Sequence, residues 1–338
     1  MRHDPHETAP RLAELAKDER AEDLLFRVNE LLAGAPLPAP LPDPGAASRP
    51  ILYTVGVPRS GTTVLAQLVA RHLPIGYIDG IAARFWRRPS VGVALSLAVL
   101  GPIGARQVAL ASRHGVSAGA TGPHEFGYFW RHWLRLDESS THHLSPEHQA
   151  RIDVPGLRRA LEDELLASFR APVAFRNSIC GFHAGVLSRL HPATLFVHIR
   201  RDPLECARSI LRCRKERYGS YDAWWSLKPS TWPFGGESDP AAQVAHQVID
   251  CRRELELELA TPKVHAIAIE YSELCQTPRE SLERIRSALA ALGAKLPLLG
   301  ELPKALQRGV ASRLPEALER TLAERLPTSP VETPRPLR

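Results

Sequence analysis

Lysine is scarce in this chain: of 43 basic residues only six are Lys and the rest are Arg. No long Lys/Arg run occurs among them. The net charge of +6 therefore does not suggest a nucleic-acid partner and fits a small polyanionic ligand. Cysteine is sparse as well. The five residues Cys180, Cys206, Cys213, Cys251 and Cys275 contain no C-x-x-C pair, which argues against a zinc site. Their odd number argues against a complete disulfide framework, so they read as reduced thiols of a cytoplasmic protein. No apolar leader core is found in the first 25 residues. The most apolar stretch, Val91 to Leu100, ends at Gly101-Pro102 and is too short to span a bilayer. It reads as a buried helix, with contact to a lipid surface as the alternative.

What is present centres on residues 51–65. Ile51 to Val55 is an apolar, β-branched run that predicts a short buried strand. Gly56 ends it, Pro58-Arg59-Ser60-Gly61 predicts a tight turn, and an apolar helix starts at Thr62. A strand, a glycine loop and a helix N-terminus bring backbone N–H groups and the positive end of the helix dipole to one point, which is an anion site. The spacing is that of a phosphate-binding loop, G-x-x-x-x-G-K-[ST], with Gly56, Gly61 and Thr63 in place. Thr62 stands where the Lys belongs, and the nearest cation is Arg59 inside the loop. Losing that Lys argues against ordinary ATP chemistry, since a kinase aims it at the β/γ-phosphates.

Around this unit, strands and helices alternate. Residues 10–33 predict an amphipathic helix, and residues 35–50, with six prolines, predict a linker. Residues 74–79 predict a second strand ending in Asp79, which is either a helix cap or a site acid. Residues 82–89 form a basic aromatic patch. His124 and Glu125 precede an aromatic run. Residues 157–169 and 184–190 predict helices, and residues 172–177 a strand ending at Arg176. Residues 194–201 predict a strand that runs into Arg201-Asp202-Pro203 and a helix to residue 217, with Pro203 in its favoured first turn. The aromatic tract 218–233 predicts a loop that covers a site. Helices are predicted at 241–259, 278–292 and 301–326, and a strand at 264–271. This alternation predicts an α/β fold, a doubly wound parallel sheet flanked by helices, in a single domain with helical additions. The expected division is residues 1–50 as helix and linker, 51–326 as the main domain and 327–338 as a Pro-rich tail.

Three of these segments, in this order, resemble the PAPS-dependent sulfotransferases, whose donor is 3′-phosphoadenosine 5′-phosphosulfate. Pro58-Arg59-Ser60-Gly61-Thr62-Thr63 is similar to their 5′-phosphosulfate loop, in the Arg form carried by tyrosylprotein and many bacterial members. Arg201 with Ser209, eight residues on, resembles their 3′-phosphate motif, including the Asp-Pro turn. Glu270-Tyr271-Ser272-Glu273-Leu274 followed by Pro278 resembles the segment whose Tyr lies against the adenine, which assigns Tyr271 that role. The segments around 124–130, 224–230 and 243–247 are similar to a bacterial branch of the family. The resemblance implies the P-loop-type fold, PAPS as co-substrate with PAP as product, no metal, and in-line transfer of a sulfuryl group to a hydroxyl or amine. It implies Pro58, Arg59, Ser60, Gly61, Thr62 and Thr63 at the 5′-phosphosulfate, with Arg176 as a second cation, and Arg201, Ser209 and Tyr271 on the rest of the donor. The C-terminal R-K-G-x-x-G-x-x-K segment of cytosolic members is not found here.

A base must accept the acceptor's proton. The family's His falls about 60 residues after the loop cation, where His124 stands. Its Glu in tyrosylprotein members falls about 20 residues after, where Asp79 stands. Glu125 is the third candidate, as base or as orienter of His124. The competing functions are a Mg²⁺-dependent P-loop kinase, with the segment ending at Asp79 as its acid, and a non-catalytic nucleotide- or polyanion-binding module. The acceptor stays open among carbohydrate, lipid, small molecule and protein. Trp86, Trp224 and Trp225 are candidates for stacking on a sugar or for core.

Overall fold

In the computed structural model, residues 6–36, 43–113, 115–309 and 313–326 are described. Five parallel strands form the central sheet: β1 Ile51–Val55, β2 Gly76–Tyr77, β5 Val173–Arg176, β6 Thr194–Arg200 and β7 His265–Glu270, in the order β2-β5-β1-β6-β7. A separate hairpin pairs β3 Ser112–Arg113 with β4 Val116–Ser117. β1 lies at the centre between β5 and β6 and is buried throughout. Successive side chains of a strand point to opposite faces, so β1 feeds two cores. Tyr53 stacks between its register partners Phe175 and Phe196, with ring centroids 5.4 and 5.0 Å away. On the other face Leu52 packs with Leu65, Leu68 and Val69 of the helix Thr62–His72. The sheet thus fixes the carboxyl ends of β1, β5 and β6 side by side, the place where parallel α/β sheets bind ligands.

Several elements differ from the sequence expectation. The N-terminal helix runs Glu19–Gly34, capped by Asp18, and the described residues before it form a short helical turn at Ala13–Leu15. The second strand shrinks to Gly76–Tyr77, because Ile78 and Asp79 turn away into a helical turn at Ala82–Arg84. The helix Pro89–Leu100 buries Pro89, Gly92, Val93 and Ser96 but leaves Leu95 and Val99 exposed, so only one of its faces is core. Among the described residues no helix is long and apolar enough to cross a membrane. Among the described residues of 301–326, only Glu316–Arg325 is helical. Pro303 and Pro315 lack the N–H that a helix interior needs, and Gly309 adds backbone freedom. The tail 327–338 lies outside the described residues. The tract 218–233 packs on the helices Pro203–Tyr218 and Pro240–Leu259. Within it Trp224 is buried over Arg214, with the guanidinium 4.8 Å from its ring. Trp86 is also buried, against Phe26 and Tyr128.

One polar tie holds a loop to this frame. His143 Nδ1 lies 2.9 Å from Glu254 and Nε2 3.7 Å from Glu258, both on the helix Pro240–Leu259. Burial opposes the imidazolium, but the two carboxylates outweigh it and raise the His143 pKa from 6.5 to about 9. A raised folded-state pKa means that the contribution is complete below about pH 6.5 and is lost as pH rises through about 9. The carboxylates titrate lower than usual. Burial works against their charge, while the pairing with His143 and their other polar contacts outweigh it, so their share is lost only on acidification. The difference in Tm between the wild type and His143→Gln, followed from pH 5 to 10, should be largest near pH 5–6.5 and should close towards pH 10. A gap independent of pH would show that the ion pair does not carry the effect.

Candidate active site

The loop after β1 has the conformation that an anion site needs. Arg59 and Gly61 both have positive φ, +71° and +112°. Arg59 is a non-glycine residue in the left-handed region, an unusual state that concentrates at functional sites. Gly61 is required on a second count: a Cβ there would come within 2.5 Å of the Tyr271 ring. The helix Thr62–His72 starts directly after, so its unpaired N–H groups face the loop. The Ser60 hydroxyl is buried there without a hydrogen-bond partner.

Residues far apart in sequence converge on this loop. Arg59 Nε donates to Ser209 Oγ at 2.9 Å. Arg201, just beyond the end of β6, donates from Nη1 to the Arg59 carbonyl at 3.0 Å and from Nε to Glu205 at 2.8 Å. Its guanidinium lies 4.6 Å from the Tyr271 ring. Asp202 caps the helix Pro203–Tyr218 by accepting from the Glu205 N–H, and the first turns of that helix carry Glu205 and Ser209 back to the loop. The structure therefore brings Arg59, Arg201, Ser209 and Tyr271 together.

The other side of the loop is built from the end of β5. Arg176 Nη1 donates to Thr63 Oγ1 at 2.9 Å, to the Gly115 carbonyl at 2.7 Å and to Glu125 Oε1 at 3.2 Å, while Nε is buried without a partner. Burial lowers the Arg176 pKa; Glu125 works against that shift and the charge of Arg59 adds to it. A buried guanidinium with a neighbouring cation and one exposed carboxylate is a site that demands further negative charge. Asn177 donates to the Glu125 carbonyl at 3.0 Å and fixes that backbone. The Gly115 carbonyl also accepts from Thr63 Oγ1 at 3.3 Å, so the β3–β4 hairpin sits against the loop. Neither Asn177 nor Gly115 was singled out in the sequence. Both act through backbone contacts that no local motif announces.

His124 and Glu125 adjoin this cation. The His124 N–H donates to the Ile78 carbonyl at 2.7 Å, which ties the segment to the end of β2. Nδ1 of His124 accepts from the Phe126 N–H at 2.9 Å, and Phe126 itself is left-handed, with φ +54°. The ring has solvent-exposed surface, but the protein packed around it lowers its pKa. Glu125 opposes that shift, and Arg176, Arg84 and Lys17 reinforce it. Glu125 is open to solvent beyond its contact with Arg176.

Asp79 stands apart from this group. Its side chain is fully buried and paired with that of Arg106 at 2.8 Å, and it accepts a hydrogen bond from Ser96. Its other oxygen accepts from the Ile81 and Ala82 N–H groups at 2.8 and 2.9 Å. Of the two readings of Asp79, the cap is the one its contacts fit. As a site acid it has neither solvent access nor a free oxygen.

Comparison with known proteins bears on the same region. The sulfotransferase STF9 from Mycobacterium avium is 13% identical, with 89% of this chain and 71% of that chain covered and a TM-score of 0.40. STF1 from Mycobacterium tuberculosis H37Rv is 13% identical, with 72% and 67% covered and a TM-score of 0.42. No curated protein matches the chain. The family model of the sulfotransferases matches residues 50–291, a span that holds the loop at Arg59, the strand end at Arg176, the Arg201–Ser209 pair and Tyr271, and with that match the chain belongs to the sulfotransferase family.

Proposed function

We propose that the protein transfers a sulfuryl group from PAPS to a hydroxyl-bearing acceptor by in-line displacement. The observation that carries this reading is the meeting of Arg59, Arg176 and Thr63 with the unpartnered Ser60 hydroxyl at the carboxyl end of the sheet. An oxygen acceptor fits between Arg176 and Thr63, as the Gly115 carbonyl illustrates at 2.7 and 3.3 Å. In this reading PAPS supplies a sulfuryl group on an activated phosphate oxygen. The loop N–H groups, Arg59 and Arg176 hold the 5′-phosphosulfate and stabilise charge growing on the bridging oxygen. Arg201 and Ser209 take the 3′-phosphate, for which a guanidinium fork and a hydroxyl are suitable donors. Tyr271 packs against the base. Glu125 is the carboxylate next to this cluster and takes the proton of the attacking hydroxyl.

The kinase alternative is weaker. Thr62 replaces the Lys that it needs. Asp79, the acid that the sequence offered for Mg²⁺, is committed to Arg106. The test is a titration of the full chain with PAP, with and without Mg²⁺, against ATP. We expect metal-independent PAP binding that Arg201→Ala weakens by roughly 10- to 100-fold, the loss of charge-assisted hydrogen bonds. Preference for ATP with Mg²⁺ would favour the kinase, and binding of neither would favour a degenerate module.

A further inference from the structure

His124 stands next to Glu125, whose carboxylate contacts Arg176, yet its own contacts do not suit a base. A neutral imidazole has one N–H and one lone pair. The lone pair on Nδ1 is occupied by the Phe126 N–H at 2.9 Å, so the proton belongs on Nε2. Taking up a proton at Nδ1 would break the contact that holds Phe126 at its left-handed φ of +54°. Nε2–H is the atom left to act. We propose that His124 donates a hydrogen bond through Nε2–H to the acceptor oxygen while Glu125 takes the proton, and that this pair selects hydroxyl over amine acceptors. The inference rests on the sulfuryl-transfer reading above.

Lone-pair geometry carries the selection. A hydroxyl has one hydrogen and two lone pairs. Its hydrogen goes to the Glu125 carboxylate, one lone pair accepts from His124 Nε2–H, and the other faces sulfur. The new O–S bond forms as the S–O bond to the phosphate breaks. That bond's electron pair leaves with PAP, and the proton ends on Glu125. A neutral primary amine has a single lone pair, which sulfur requires, so Nε2–H would then face nitrogen without an acceptor. The charged groups acting on the ring are Glu125, Arg176, Arg84 and Lys17. Desolvation by the protein packed around it, with Arg176, Arg84 and Lys17 outweighing Glu125, favours the neutral ring, the state in which Nδ1 still accepts from Phe126.

The first test is NMR of the full chain labelled with ¹⁵N at histidine, with the His124 signals assigned by their absence in His124→Asn. At pH 7 we expect the neutral Nε2–H tautomer. An Nδ1–H tautomer or an imidazolium would overturn the proposal. The second test needs no identified acceptor: release of sulfate from PAPS with water as the attacking hydroxyl. Asn at 124 can still accept from the Phe126 N–H but places no N–H at the Nε2 position, and the rate should fall roughly 10- to 100-fold. Gln at 124 reaches that position with an N–H and should recover part of the loss. The acid limb of the pH profile should persist in both variants. Its disappearance would make His124 the base, and an unchanged rate in His124→Asn would leave it a cap only; either result overturns the proposal. PAP titration separates the two levels. A wild type that fails to bind PAP removes the sulfuryl-transfer reading itself. A wild type that binds PAP but carries the Nδ1–H tautomer removes this inference alone.

Discussion

Glu125→Gln should abolish most of the turnover and leave the donor site intact. Gln keeps the shape of Glu and an oxygen that can still accept from Arg176 Nη1, but it cannot take a proton. Loss of a positioned general base lowers rates by about 10²–10⁴-fold. PAP affinity should not fall. The carboxylate oxygen lies 3.2 Å from Arg176 Nη1, and removing its charge takes away an anion that competes with the donor for that cation. The pH profile adds a second readout, because the acid limb of the wild-type rate should vanish with the carboxylate. Measuring kcat and PAP affinity on the same preparation separates the effects. A turnover within twofold of wild type would exclude Glu125 as the base. A parallel loss of PAP binding would show that it organises Arg176 and takes no proton.

The parts of this site visible in the sequence are those whose geometry is set within a few residues. The β1 strand, the Gly56–Gly61 spacing and the helix that follows form one local unit, and so do Arg201-Asp202-Pro203 and Ser209 two helical turns on. The parallel sheet follows from the alternation of apolar strands with helices, which puts the carboxyl ends of the strands on one edge, but the order that sets β5 and β6 on either side of β1 is not written in that alternation. What stayed hidden depends on distant partners. Asp79 cannot be told from a site acid until Arg106, 27 residues on, and Ser96 are seen to close on it. The role of His124 turns on the backbone of Phe126, where a phenylalanine gives no sign of a positive φ. Gly115 contributes a carbonyl, a group every residue has, so its place against Thr63 and Arg176 could not be found by residue type. The helix is shorter than the leucine spacing over 10–33 predicts, because that spacing continues through residues that form a short turn at Ala13–Leu15.

Asp79→Ala should be the most destabilising single substitution near the site. The side chains of Asp79 and Arg106 are both fully buried. Arg106 is left with hydrogen bonds to Ser96 and the Gly101 carbonyl and with the Tyr77 ring 5.6 Å away once the carboxylate is gone. Removing one partner of a buried pair strands an uncompensated charge and costs about 3–5 kcal/mol. The Ile81 and Ala82 N–H groups lose their cap as well, which adds about 1 kcal/mol. Thermal unfolding should therefore shift down by roughly 10 °C. The double variant Asp79→Ala/Arg106→Leu should regain much of that loss, since it removes the stranded cation along with the carboxylate. This rescue distinguishes a structural ion pair from a catalytic acid. Stability within about 1 kcal/mol of wild type in Asp79→Ala, coupled to lost turnover, would return Asp79 to the list of proton acceptors and displace Glu125. A destabilised variant whose remaining folded fraction binds PAP and turns over normally would fix Asp79 as the pin between the end of β2, the helix Pro89–Leu100 and the segment at Arg106. On that outcome the acid that follows β2 serves the fold, and the chemistry falls to the segment at His124 and Glu125, which is tied by its backbone to the same strand end.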